Sequence, residues 1–542
     1  MSGSYRIPTP VNEPVYSHAP GTPEREELKK KIQELRSKEI EIPLIIGGER
    51  IKTGNLVEIR PPHDHQHILG HYHQAGEPEA KQAIEATLEA WREWSELPWE
   101  DRAAVFLKAA DLISGPHRSL INASTMLGQS KNVFQAEIDS ACEVADFFRF
   151  NPYYMQFIYD QQPFTAPNQL TQVEYRPLEG FIFAVSPFNF TSINANLPTA
   201  PALMGNVVVF KPASTAVYSA YFLMEILEEA GLPAGVINFI PGRGSKIGPI
   251  VLKDPDLAGV HFTGSTSTFQ SMWRTIGENI ENYKSYPRIV GETGGKDFVV
   301  AHESTDLQEL IVALLRGSFE YQGQKCSATS RAYIPDTIWE EVKEKLIEGV
   351  NSMSMGGVED FRNFMNAVID KDSFDRLKGY IEAVKNSPVV EIIAGGNYDD
   401  SKGYFIQPTI VRTNDPGHFL MCDELFGPIL TVYVYPADQY IETLFLCNET
   451  SPYGLTGSVF ARNRDAIVLA RKILRHAAGN FYINDKTTGA VVGQQPFGGG
   501  RASGTNDKAG SWLNLIRWVS TRSIKENLLP PKDYRYPFME SK

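Results

Sequence analysis

The sequence predicts an α/β protein built on doubly wound parallel sheets. Three observations carry that reading. From residue 181 onward, short apolar runs rich in Val, Ile and Phe alternate with helical stretches, the pattern of successive βαβ units. Those runs are continuous rather than alternating, as strands covered on both faces are. The chain has 542 residues, 42% hydrophobic and 22% charged, enough for two or three packed units.

In chain order, a Pro-rich start gives way to residues 24–38, where Leu28, Ile32 and Leu35 recur at helical spacing. Long helical patterns dominate from residue 80 to Tyr159. "LTQVEYRP" (170–177) then alternates, with Thr171, Val173 and Tyr175 on one face and Gln172, Glu174 and Arg176 on the other. It reads as an exposed strand, an arm. "FIFAVSP" (181–187) is a buried strand, followed by a helical stretch through Met204, and "NVVVFKP" (206–212) is the next strand. Thr215 is the expected cap of a helix over 216–230, which Gly231 and Pro233 stop. "GVINFIPG" and "LAGVHFTGS" supply two further strands, each opening into a turn and helix.

A second α/β unit begins near Gly294. Thr305 and Gln308 fit a capping box for a helix that buries Leu307, Leu310, Ile311 and Leu314. That helix runs into Gly323 and Cys326. The tail "WLNLIRWVSTRSIKENLLPP" reads as a strand leaving the body, a partner for the 170–177 arm.

Composition excludes several functions. The formal charge of −13 carries no basic block, which disfavours nucleic acid as a partner. The four cysteines lie far apart with no CxxC pair, against a disulfide framework or a zinc site and for a reducing compartment. No metal is expected. No run of 18 apolar residues appears, so no membrane span is expected. The first 31 residues lack an apolar core and carry glutamates, so they read as neither signal nor transit peptide. A processed mitochondrial form would look the same.

Several short stretches carry chemistry. "EYQGQKCSATSR" sets Cys326 among small, polar and basic residues, where a thiolate nucleophile is favoured; a lone cysteine is otherwise more often a small core residue. "GETGGKDFVV" presents Glu292 on a glycine-rich turn at a strand end, as a general base or a solvated turn acid. "SPFNFTS" puts Asn189 at the carboxyl end of a strand, where α/β sheets hold ligands, as an oxyanion donor or an Asx-turn. Lys211 in "FKPAS" is placed to bond ribose hydroxyls or to snorkel. "FTGSTST" (262–268) opens a helix with hydroxyls and N–H groups, a phosphate cradle or a plain serine turn.

Taken in order, SPFNF, FKP, FTGST, GETGGK, GQKC, ELFGP and PFGG resemble the aldehyde dehydrogenase superfamily over residues 40 to 530. "QAEIDSACEVADFFRFN", "FEYQGQKCSATSR" and "INDKTTGAVVGQQPFGGGRASGTND" are similar to the branch that oxidises L-glutamate γ-semialdehyde, in its free-standing form. The resemblance implies an aldehyde dehydrogenase-like fold. Its parts are a Rossmann-type dinucleotide-binding domain (179–293, with an N-terminal helical part over 1–164), an oligomerisation arm (165–178), an α/β catalytic domain (294–510) and a C-terminal oligomerisation strand and tail (511–542).

It also implies NAD-dependent oxidation of L-glutamate γ-semialdehyde to L-glutamate through a thioester on Cys326, the second step of proline catabolism. Asn189 would stabilise the oxyanion and Glu292 would activate the hydrolytic water. Ser186, Lys211, Gly264, Ser265, Thr266, Ser267, Thr268, Glu424 and Phe426 would hold the cofactor. Ser214 stands where many NAD-selective relatives have an acid, which leaves NADP use open. Ser327, the N–H groups of Gly489 and Ala490, Phe497 and Glu137 would line the substrate site, with Arg331 adding charge nearby. The partners implied are the substrate, a second copy as a homodimer or higher oligomer, and a proline dehydrogenase. The compartment would be the cytoplasm for a bacterial chain and the mitochondrial matrix for a processed eukaryotic one. Two alternatives stand beside this: another semialdehyde dehydrogenase, or a catalytically silent structural protein on the same fold.

Overall fold

A computed structural model describes residues 5–541; residues 1–4 and 542, which belong to the 1–164 and 511–542 segments, lie outside the described residues. The continuous apolar runs become the centre of a seven-stranded sheet. Its spatial order is Arg288–Glu292, Leu257–Thr263, Phe181–Val185, Val207–Lys211 and Ile237–Phe239, all parallel. An antiparallel hairpin, Leu44–Ile46 and Glu49–Ile51, extends it. Every residue of the strands at 181–185, 207–211 and 257–263 is buried, which is why their sequences do not alternate.

From the central strand Phe181–Val185 the chain winds outward to 207–211 and 237–239. It then returns to the other side for 257–263 and 288–292. Such a reversal leaves a crevice at the carboxyl ends of the strands. Ser186, Lys211 and Gly264 stand on that rim, each at or just past the end of its strand.

The second seven-stranded sheet runs Val390–Ala394, Thr409–Thr413, Ile429–Tyr435, Thr329–Pro335, Asp297–Ala301, Thr456–Phe460 and Asn480–Ile483. All its pairs are parallel except the one that joins the 390–394 edge. The two bodies are stapled by the segment around Gly504. It bridges Glu292, and Thr293 N donates to Ser503 O at 2.9 Å.

The arm is confirmed as a strand, Gln169–Pro177. It pairs antiparallel along its whole length with Val519–Asn527, so arm and tail are partners as expected. The tail strand starts later than the sequence suggested. Ser511 caps a helical turn at Trp512–Leu515, and Trp518 is fully buried with its ring 4.8 Å from that of His261. Burying that indole holds residues 512–518 against the body before the chain can extend.

Two caps also differ. Ser214–Ala216 forms a tight 3₁₀ turn, so Thr215 sits inside it and Val217–Ala230 begins without a side-chain cap among the described residues. Its end at Gly231, with φ +102°, is as expected. Asp306, not Thr305, caps Leu307–Phe319, since its carboxylate reaches both Gln308 N (3.1 Å) and Glu309 N (3.2 Å).

Candidate functional site

The chain ahead of Cys326 turns through Tyr321, Gln322 and Gly323, with φ of 50°, 57° and 66°. Left-handed backbone is unfavourable for Tyr and Gln, so other contacts must hold it. The Tyr321 hydroxyl donates to Gln129 O (3.0 Å), and Gln322 Nε2 donates to Ser130 O (3.0 Å) and Ala367 O (2.7 Å). At Gly323 any side chain would collide with Gly427 O, 2.3 Å from where a Cβ would stand. This bend delivers Cys326, 9% exposed, just ahead of the strand Thr329–Pro335.

Glu292 closes the strand Arg288–Glu292, and its carbonyl accepts from Gly264 N at 3.1 Å. Its Oε1 is buried with no hydrogen-bond partner among the described residues. Burial pushes this carboxyl up to about 8, against a downward pull from Lys508. The Cys326 thiol is pushed well above its ordinary value, first by burial and then by the charges of Glu292, Asp297 and Glu424. Both groups therefore hold their protons for the most part at neutral pH.

Cys326 and Glu292 line one cavity of about 480 Å³ together with Ser327, Gly489, Ala490 and Phe497. Gly489 has φ +100°, which frees the turn to aim its N–H groups. Asn189 is buried nearby, and its Nδ2 donates to Gln324 O at 3.0 Å, two residues before the thiol. An amide has a second N–H to offer.

The strand-end crevice collects the other predicted residues. Lys211 is buried and lowered to about 8 by that burial; among the described residues its Nζ donates to one acceptor, Pro212 O at 2.8 Å. Two donors remain, enough for a diol. Ser186 donates to Asn194, and Ser214 is exposed at the rim. Ser265 caps the helix Thr266–Glu278, accepting from Thr268 N at 3.3 Å. The Ser267 hydroxyl lies 3.4 Å from that of Ser265, and the Thr266 hydroxyl 3.3 Å from that of Tyr453.

Glu424 Oε1 accepts from Gly295 N at 2.9 Å, and burial raises its carboxyl to about 7. Phe426, at φ 55°, meets Phe188 edge-on at 5.7 Å. A helix N-terminus, a lysine with spare donors and an aromatic floor suit a dinucleotide. The turn at Glu292–Gly295 joins crevice to cavity, since Gly295 lies against Cys326 O.

Two expected residues stand elsewhere. Glu137 is fully buried away from the cavity, holding Arg118, Asn122 Nδ2, His18 and Tyr16 N. The reason is a π-helical turn at Glu137–Glu143, which shifts the facing residues. It brings Glu143 to the cavity wall instead, where Ser192 Oγ donates to it at 2.9 Å and burial raises it to about 8. Arg331 is also buried away from the cavity, donating to Lys296 O, Tyr333 and Cys447 O. Its strand position points it into the second sheet's packing.

The sequence reading also missed the N-terminal segment, whose Asn12 and Val15 help wall the cavity. Asn12 Nδ2 donates to Asp146 and to Val492 O, both at 2.8 Å. Nothing in its Pro-rich composition marks that role. Among the described residues there is no His, Cys, Asp or Glu cluster able to hold a metal ion, and no helix long and apolar enough to cross a membrane.

Residues 51–523 match the model of the aldehyde dehydrogenase family. The chain is 53% identical over 536 residues to a mitochondrial delta-1-pyrroline-5-carboxylate dehydrogenase of Dictyostelium discoideum, covering 98% of this chain and 96% of that one. It superposes on the NAD-bound delta-pyrroline-5-carboxylate dehydrogenase of Mycobacterium tuberculosis with a TM-score of 0.97, at 49% identity over all of both chains. It is also similar to proline utilization A of Bdellovibrio bacteriovorus, with a TM-score of 0.91 at 30% identity, over 97% of this chain and 54% of that one.

Proposed function

The chain belongs to the aldehyde dehydrogenase family, and from that premise we propose that it oxidises L-glutamate γ-semialdehyde, the open form of Δ1-pyrroline-5-carboxylate, to L-glutamate with NAD. This is the second oxidation of proline catabolism. The observation that carries the reading is one cavity holding the Cys326 thiol, the Gly489–Ala490 turn and the Glu292 carboxyl, whose Oε1 has no hydrogen-bond partner among the described residues.

The chemistry follows from proton and charge positions. Cys326, its proton lost to solvent, attacks the aldehyde carbon as the thiolate and forms a hemithioacetal. The free N–H of Asn189 and the backbone N–H of Cys326 receive the developing oxyanion, a contribution of about 3–4 kcal/mol per donor. When bound in the crevice, NAD supplies the hydride acceptor that turns the hemithioacetal into a thioester. Glu292 then draws a proton from water, whose oxygen displaces the thiol and releases glutamate.

Ser327 and the N–H groups of Gly489 and Ala490 take the substrate's α-carboxylate, and Phe497 packs on its aliphatic chain. Glu143 takes the place first given to Glu137. A substrate panel followed by NADH absorbance tests the reading. Glutamate γ-semialdehyde is expected to exceed succinate semialdehyde and propanal in kcat/KM, and a flat profile or a preference for either rival would overturn it.

Lys211 holds the adenosine ribose hydroxyls, the 264–268 turn the pyrophosphate, Glu424 the nicotinamide ribose and Phe426 the nicotinamide pocket, with Ser186 in the cleft wall. Ser214, exposed beside Lys211, carries no charge to repel a 2′-phosphate. Ser214→Glu is expected to raise the KM for NADP at least about tenfold and that for NAD by much less, by like-charge repulsion. Equal effects on both would remove Ser214 from the ribose.

The paired arm and tail strands form a two-stranded ribbon outside both main sheets. A free strand edge pairs with another chain, and two-fold closure gives a homodimer as the smallest unit. Deleting residues after Ser520 removes most of one strand of the ribbon. The expected result is a mass by light scattering that falls towards the monomer at micromolar concentration, with activity lost on dilution; an unchanged oligomer would refute the arm's role. A proline dehydrogenase, as the source of Δ1-pyrroline-5-carboxylate, is the further partner. The compartment follows the source, the mitochondrial matrix in a eukaryote and the cytoplasm in a bacterium.

A further inference from the structure

Lys131 and Asp139 are both 0% exposed, and Lys131 Nζ donates to Asp139 Oδ2 at 2.7 Å. The same ammonium lies 4.1 Å from the ring centre of Phe190 and 4.5 Å from that of Tyr321. These rings belong to different loops. Phe190 follows Asn189, and Tyr321 opens the left-handed turn that delivers Cys326.

The neighbours of the pair tie the same two loops. Asp139 Oδ2 and Oδ1 accept from Thr191 N and Ser192 N, at 2.9 Å each, and so anchor the start of the helix Thr191–Leu203 directly after Asn189. Gln129 Nε2 donates to Phe188 O at 2.6 Å, while Gln129 O and Ser130 O accept from Tyr321 and Gln322. Residues 129–131 thus touch the Asn189 loop on one side and the Cys326 turn on the other.

Simple packing does not call for a lysine here. A buried ion pair costs desolvation that a Met or Leu of similar volume avoids. Burial indeed pulls Lys131 down, with Asp139 and Glu143 pulling it back. What the ammonium adds is directed attraction, to one carboxylate and two ring faces at once.

We propose that the Lys131–Asp139 pair is a positioning clasp that fixes the Asn189 amide relative to Cys326, by holding the 188–192 loop against the 320–326 turn. This rests on the reading of Asn189 as the oxyanion donor. Neither clasp residue touches the reacting atoms.

The test is a cycle of Lys131→Met, Asn189→Ala and the double variant, each read by the rate of the first NADH turnover, by KM and by thermal midpoint. Asn189→Ala is expected to slow that turnover at least about 100-fold. Lys131→Met is expected to slow it about 10- to 100-fold, with KM changed by less than about threefold, because a misplaced donor fails in the transition state. The double variant is expected to be no slower than Asn189→Ala alone, since both changes disable one interaction.

A full rate in Lys131→Met, or effects that multiply in the double variant, overturns the clasp and leaves the oxyanion reading standing. A full rate in Asn189→Ala overturns that reading, and the clasp with it. If Lys131→Met does not fold, Lys131→Met with Asp139→Asn leaves no lone buried charge and is judged by the same split.

Discussion

Cys326→Ala is expected to fold, to bind NAD and to produce no NADH above a few per cent of the wild-type rate. The change removes one sulfur from a side chain already 9% exposed, in a turn held by Tyr321 and Gln322 rather than by the thiol. The loss in stability should therefore be about 1 kcal/mol or less. The crevice residues are untouched, so NAD affinity measured by calorimetry should stay within about twofold. Only the covalent route disappears, because the other thiol on the cavity wall, Cys142, lies against Glu137 and is held protonated by burial and by that carboxylate. Turnover of more than a few per cent, with NAD binding intact, would move the nucleophile elsewhere.

Much of this site was legible because its residues sit at strand ends. A strand end followed by a turn leaves a local mark, and Lys211, Gly264, Glu292 and Asn189 all carry it. The strand order then brings those marks to one rim. Glu137 was placed at the substrate by resemblance alone. Its carboxylate is instead held by Arg118, Asn122 and Tyr16 N, and Glu143, at the far end of the same π-helical stretch, reaches the cavity. Arg331 was misplaced because the third residue of the strand Thr329–Pro335 turns into the sheet packing, where carbonyls satisfy it. The N-terminal wall and the reach of Lys131 to Tyr321 depend on contacts more than 100 residues apart in sequence, and no local pattern encodes those.

Glu292→Gln is expected to separate the two halves of the reaction. Hydride leaves before water enters, so the variant should still release about one NADH per site in a burst and then turn over at least about 100-fold more slowly. Protonation gives an independent check. With the carboxyl near 8, about a tenth of it is ionised at pH 7. Where hydrolysis limits, steady turnover should rise close to tenfold per pH unit below 8 and level off above. In Glu292→Gln that limb should vanish.

The same shift carries a stability signature of fixed sign. A buried carboxyl with a raised pKa favours the folded state while protonated, and ionisation opposes folding. The penalty is absent below about pH 4.5 and grows as pH rises towards about 8. Gln cannot ionise, so the thermal midpoint of the variant should gain on the wild type as pH goes from 5 to 8. Steady turnover at the wild-type rate would remove Glu292 as the base. An unchanged gap in midpoints across that range would show that the carboxyl is not held protonated where it stands, at the meeting of crevice and cavity.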